Sequence, residues 1–380
     1  MLQTISLLSE LINCPSITPD DANCQQILKN HLKKIGFNIT DLPKGPVKNF
    51  WAKRGNNAPL FLFAGHTDVV TPGDLKAWQF DPFKATEHDD FIYGRGAQDM
   101  KGPLAAMIVA TAQFINKYPD HKGSIGFLIT SGEEGSDYMD GTPHVMKYLE
   151  DESEKIDYCI VGEPSSQHQL GDTIRHGRRG SLHAYLTVHG KQGHVAYHQL
   201  ADNPIHRAIS AIHALVQTQW DEGNQDFDPT SLQITSIESG RFGENNNVIP
   251  NALKLQFNFR YSPLSNEDNI KQRVEKILHE HHVNYDITWE LSGKPFITEN
   301  SILSQKTAQA IQTVMGISPK FSTGGGTSDA RFIAPSGAQV IELGVCNDRI
   351  HQVDERVNIE ELQKLVRIYY LLLESLLVKT

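Results

Sequence analysis

Residues 61–70 read Phe-Leu-Phe-Ala-Gly-His-Thr-Asp-Val-Val: four apolar residues without alternation, then a polar turn. A strand apolar on both faces belongs inside a sheet covered by helices on either side. The same form recurs at 125–129, followed by Ser131-Gly132-Glu133-Glu134-Gly135, and at 158–161, followed by Gly162-Glu163-Pro164. Between these runs, 103–114 and 145–149 have the apolar spacing of helices, as does the opening segment through Leu7, Leu8, Leu11 and Ile12. A second helix is expected from near Asp21 to a terminating Gly36. Such alternation predicts an α/β fold with a mixed, largely parallel sheet sandwiched by helices.

The pattern changes near residue 180. Residues 182–188 and 253–259 alternate apolar with polar, the mark of an antiparallel sheet with one open face. Helical segments fall near 204–217 and 267–281, giving the strand-helix-strand-strand-helix-strand order of a ferredoxin-like α+β domain. The expected organisation is a catalytic part at 1–179, an inserted domain at 180–293 and a second catalytic part at 294–380.

A chain of 380 residues has room for two cores, and its net charge of -10 argues against nucleic acid and anionic membranes as partners. Cys14, Cys24, Cys159 and Cys346 form no CxxC pair, which fits reduced thiols in a cytoplasmic protein. The N-terminal segment lacks the basic start and apolar core of a secretion signal. The stretch 369–378 is interrupted by Glu374 and Ser375 and falls short of the roughly 18 residues of a membrane span. It reads as a docked amphipathic helix.

Five polar clusters follow or flank the expected strands, where ligands of open α/β sheets collect. They are 65–70 with His66 and Asp68, 96–102 with Asp99, 131–135 with Glu133 and Glu134, 161–164 with Glu163, and 349–355 with His351. Singly, His66 reads equally as a core histidine and Asp99 as a helix cap. Together, two histidines and several carboxylates make an N/O ligand set suited to Zn²⁺. With Asp99 bridging, two ions would each take one histidine and one glutamate, leaving a spare glutamate as general base. Asp68 is placed to accept the other ring N–H of His66.

GHTDVV, GAQDMKG, the Glu133-Glu134 pair, VGEPSS and IHQVDE resemble, in order and along the whole chain, the metal motifs of the M20 family of two-zinc metallopeptidases and deacylases. The resemblance implies that His66 and Glu163 hold one zinc, Glu134 and His351 the other, and that Asp99 bridges them; cobalt is a possible occupant of the second site. Glu133 becomes the general base, which requires the chain to turn at 131–135. The family often has aspartate where this chain has Gly132. The inserted domain is implied to be a lid that forms a homodimer, with His194 and Asn246 reaching the partner's active site.

HGRRGS (176–181), GHVAYHQLADNP (193–204), NNVIP (246–250), FNFRY (257–261), STGGGTSDARFI (322–333) and NDRIHQVDE (347–355) resemble the desuccinylase branch of that family. That implies a small-molecule amide with carboxylates at both ends. Arg178, Arg179 and Arg260 are candidates for bidentate carboxylate recognition. Gly326, Thr327 and Asn347 are implied to hold the amine part. The rival readings are a deacetylase, aminoacylase or dipeptidase of the same family, and a non-catalytic amino-acid-binding protein.

Overall fold

The computed structural model describes residues 2–243, 246–299 and 301–378. They form two units. The larger comprises the chain up to Gly177, Ile297–Ser322 and the chain from Ser328; the smaller comprises Arg178–Phe296 and Thr323–Thr327.

The larger unit is built on an eight-stranded sheet. Its order is Asn38–Asp41, Asn49–Arg54, Ser124–Thr130, Leu60–His66, Tyr158–Val161, Gln339–Glu342, Thr173–Arg175 and Lys320–Ser322. The four strands from Ser124–Thr130 to Gln339–Glu342 run parallel, while Asn38–Asp41 and Asn49–Arg54 add an antiparallel edge. Every residue of Leu60–His66 and Ser124–Thr130 is buried, as their unbroken apolar runs predict. The register sets His66 beside Thr130 and Ala64 beside Val161. The strands therefore end together, and the loops carrying Asp68, Glu133, Glu134 and Glu163 leave from one edge of the sheet.

Aromatic packing fixes that sheet to its cover. Phe63 lies 5.4 Å from Phe127 and 5.3 Å from Tyr369, with Phe61 edge-on at 4.9 Å. Tyr369 belongs to helix Ile359–Leu377, which contains most of the expected apolar stretch and buries Leu362, Leu365, Ile368, Leu372 and Leu373. Burial of this face, at about 1.5–3 kcal/mol for each large apolar side chain, holds the helix more firmly than its intrinsic propensity. Among the described residues, no helix is long and apolar enough to cross a membrane.

The second helix spans Cys24–Lys34 and begins later than expected, because Ala22 and Asn23 take φ of 44° and 71°. Asp21 turns inward instead, accepting the Gln25 N–H at 3.0 Å and the Thr67 hydroxyl at 2.9 Å. Gly36 follows the helix at φ 83°, as a terminating glycine does.

The smaller unit holds a four-stranded antiparallel sheet in the order Ser231–Glu238, Ala252–Tyr261, Gly180–His189, Tyr285–Gly293. Leu182, Ala184, Leu186 and Val188 alternate inward and pack with Phe257 and Phe259 in one core. Helices Pro204–Gln217 and Glu267–Glu280 close that core through Ala208, Leu215, Val274 and Leu278. Strand order and connectivity are ferredoxin-like. Residues 323–327 of the glycine-rich loop group with this unit, where the Gly324 carbonyl accepts a hydrogen bond from Arg178 Nη1.

Candidate metal centre

His66 is the last residue of a central strand and is 1% exposed. Its Nδ1 lies 2.9 Å from the main-chain carbonyl of Asp68, so Nδ1 carries the proton in the neutral ring and Nε2 offers its lone pair. Nε2 points at Asp99 Oδ1 (3.2 Å) and Glu163 Oε1 (3.6 Å). The expected partner of Nδ1 was the Asp68 carboxylate, but that group stands 3.6 Å away. It accepts instead the main-chain N–H groups of Glu133 (3.3 Å) and Glu134 (3.0 Å). Those two bonds make the turn that lets adjacent glutamates share one site.

Gly132 has its own reason. A Cβ there would sit 2.8 Å from both methyl carbons of Val47, so that side chain occupies the space a larger residue would need.

Asp99 lies in the irregular stretch Ala97–Lys101, whose backbone leaves helical geometry at Asp99 and Met100 before helix Gly102–Lys117 begins. Its Oδ2 is 3.4 Å from His351 Nε2, and that nitrogen is 3.0 Å from Glu134 Oε1. Asp99 thus turns one oxygen to each histidine. Burial pushes its carboxyl up, but the imidazoles of His351 and His66 that face it outweigh this and hold it below the ordinary range. Burial also drives the Glu133 and Glu163 carboxyls well up, with neighbouring carboxylates adding to the effect.

Among the described residues, three groups of side chains bring ligand atoms within 4.8 Å of one another: His66, Asp99 and Glu163; Asp99, Glu134 and His351; and His66, Glu133 and Glu134. The first two share Asp99 and together leave Glu133 over. The donors are all nitrogen or oxygen, and five carboxylates face two histidines, an excess of negative charge that cations would balance. Glu163 Oε1 is buried without a hydrogen-bond partner, and a cation beside it would satisfy it. The residues present therefore fit a pair of metal ions.

A second layer holds the first. Glu355, fully buried, accepts Arg95 Nη1 at 2.8 Å and the N–H groups of Gly96, Gln98 and Asp99 at 3.0, 2.9 and 3.1 Å. Removing one partner of a buried ion pair costs about 3–5 kcal/mol, although the pair itself adds little net stability. Its use here is to fix the turn that presents Asp99. Lys101, also fully buried, donates to the carbonyls of Leu11 (2.8 Å) and Cys14 (2.9 Å), tying the first helix to the same turn.

Glu355, Lys101 and Arg331 carry no expected role from sequence, although all three fall inside the motifs 349–355, 96–102 and 322–333. Arg331 is 6% exposed, its Nε and Nη1 lack partners, and its charge pulls down the carboxyls of Glu133 and Asp329. A basic residue placed so close after the glycine-rich loop is the available signal.

The other expected residues divide between the units. Asn347 lies in the larger one, between strand Gln339–Glu342 and His351, its N–H on the Ser166 carbonyl at 3.0 Å. Arg178, Arg179, His194, Asn246, Arg260, Gly326 and Thr327 belong to the smaller one. There Arg178 is buried, Arg260 pairs with Ser181 and Ser231 across the sheet, and His194 and Asn246 are exposed. His194 Nδ1 accepts the Ala196 N–H at 3.1 Å.

A succinyl-diaminopimelate desuccinylase of Hahella chejuensis is 54% identical over 375 residues, covering 99% of this chain and 97% of its own. One from Coxiella burnetii is 51% identical over 377 residues, covering 99% and 100%. Among solved structures, an M20 metallo-carboxypeptidase of Sulfolobus solfataricus shares the fold at a TM-score of 0.81 with 19% identity, over 98% of this chain and 99% of its own. A Bacillus subtilis protein described as a dinuclear metal-binding M20 peptidase does so at 0.73 with 13% identity, over 99% and 98%. The profile of peptidase family M20/M25/M40 matches residues 62–375. The chain belongs to the M20/M25/M40 peptidase family.

Proposed function

We propose that the chain is a two-metal amidohydrolase that cleaves N-succinyl-LL-2,6-diaminopimelate to succinate and LL-2,6-diaminopimelate. The observation that carries the substrate is the naming of relatives 51–54% identical over essentially the full length. The geometry supplies the chemistry. In this reading His66 and Glu163 hold one zinc, Glu134 and His351 the other, with Asp99 between them, and cobalt is an alternative occupant of the second position.

Ions held by these residues would supply Lewis-acid chemistry for the amide carbonyl and for water near neutral pH. Glu133 receives the proton of the attacking water on its carboxylate and returns it to the departing amine nitrogen. Burial raises its proton affinity, which suits a group that must both take and give a proton. The Asp68 carboxylate keeps Glu133 facing inward through its main-chain N–H.

The remaining assignments follow the family resemblance. In a homodimer formed through the ferredoxin-like unit, His194 of one chain donates to the developing oxyanion in the other, and Asn246 contacts the substrate. Arg178, Arg179 and Arg260 are the carboxylate anchors, while Gly326, Thr327 and Asn347 hold the diaminopimelate part. The enzyme works in the cytoplasm.

The test is succinate release from N-succinyl-LL-diaminopimelate by zinc-loaded protein, run beside N-acetylornithine and with chelator. Strong preference for the succinyl amide, abolished by chelator, is expected. Preference for acetylornithine would overturn the substrate and leave the chemistry standing.

A further inference from the structure

The two histidines of the centre are held by different means. His66 ends a strand with neighbours on both sides. His351 sits in a loop at φ 61°, a backbone that non-glycine residues seldom adopt, with its side chain 48% exposed. Its position over Asp99 therefore depends on what fastens that loop to the turn at 94–99.

Arg95 Nη2 reaches the His351 carbonyl itself at 3.5 Å, and two further side chains fasten the loop, one on each side of His351. Beyond it, Glu355 binds the turn through Arg95 and three N–H groups. Before it, Gln98 Nε2 donates to Asp348 Oδ1 at 2.7 Å, while Gln98 Oε1 accepts the Arg349 N–H at 3.0 Å. Gln98 is 3% exposed and is joined directly to Asp99. Its amide is engaged at both ends, and a buried polar group left unpaired is costly, so the loop has little freedom to slide along the turn.

We infer that Gln98 is a positioning residue that sets the spacing between His351 and Asp99 through Asp348 and Arg349. It thereby governs the affinity of the ion held by Asp99, Glu134 and His351. The ion held by His66, Asp99 and Glu163 is independent of it, because that histidine and glutamate come from strand ends. This assignment rests on the two-metal reading and adds an asymmetry to it.

The test titrates metal-stripped full-length chains with Co²⁺, following the visible absorption of each binding step. Gln98→Leu removes both bonds at similar volume. Asp348→Ala removes the Gln98 Nε2 bond from the exposed side, where folding is not at risk, and leaves the bond to the Arg349 N–H. Both variants should weaken one step by about 10-fold or more, as loss of an outer partner of a metal ligand does. The other step should stay as in the unaltered chain. Two unchanged steps, or two steps weakened equally, overturn the inference while leaving the two-metal reading intact. An unaltered chain that binds a single ion overturns that reading, and the inference with it.

Discussion

The carboxylate of Asp68 accepts the main-chain N–H of Glu134 at 3.0 Å, although the two residues are 66 positions apart. With the parallel bond to the Glu133 N–H at 3.3 Å, it brings the ends of two neighbouring strands into one site. Asp68→Asn keeps one acceptor oxygen and sets an NH₂ against the other N–H. Both glutamates should shift, and misplacement of order 1 Å lowers kcat about 100-fold with little change in KM. Steady-state kinetics on the zinc-loaded variant measure this; an unchanged kcat would show that the turn holds without Asp68.

Glu133→Gln separates proton transfer from metal holding. The amide occupies the same space and cannot act as a base, so kcat should fall about 10²–10⁴-fold or more. Elemental analysis should still find two ions on a folded protein. Near-normal turnover would remove Glu133 from the mechanism.

Asp99→Ala acts on the opposite half of that division. It withdraws the two oxygens that face His66 and His351, so the protein should lose metal and activity together. A fully occupied pair of sites in this variant would refute the bridging role.

How far all this is legible in the sequence depends on range. Apolar runs at 61–64 and 125–129 announce buried strands because burial on both faces leaves no polar position to vary, and the alternation at 182–188 announces the second sheet for the opposite reason. Five of the seven polar residues of the centre stand out because they close or follow strands, where ligands gather, while Asp99 and His351 stand in an irregular stretch and a loop. Hidden are the partners chosen across the fold. Nothing near Glu355 says that its carboxylate meets residues 95–99, and nothing near Asp68 says that its carboxylate faces residue 134 rather than residue 66. The second helix starts at Cys24 rather than near Asp21 because φ at Ala22 and Asn23 answers to the inward turn of Asp21, a tertiary contact with Thr67.

Gly344 tests how closely the strands beside Glu163 approach. A Cβ there would lie 2.4 Å from the Glu163 carbonyl oxygen and 2.6 Å from that of Gly162. Both are backbone atoms, so relief requires the strand ends to separate, at about 1–3 kcal/mol for overpacking. Glu163 then moves relative to His66. In Gly344→Ala, the thermal stabilisation that added zinc gives the unaltered chain should shrink markedly. An undiminished zinc effect would show that the site tolerates the shift.

Cysteine chemistry gives a check away from the metals. Cys24 and Cys159 are buried, while Cys14 and Cys346 are half-buried. The neighbouring Cys24 side chain and the Lys101 ammonium lower the Cys14 thiol to about 7, against the opposing effect of burial. Burial pushes Cys346 up, and the Glu361 carboxylate adds to it. Only the thiolate reacts with an alkylating agent, so iodoacetamide should modify Cys14 first. Its rate should climb through pH 7 and level above it, since a lowered pKa completes ionisation early. The same shift makes the folded state's preference for the Cys14 thiolate complete above the ordinary thiol range near 9 and lost as pH falls through 7. Peptide mass spectrometry across a pH series reads both features. If Cys346 reacts as fast, or if the Cys14 rate still climbs steeply at pH 9, then Cys24 and Lys101 do not stabilise the Cys14 thiolate.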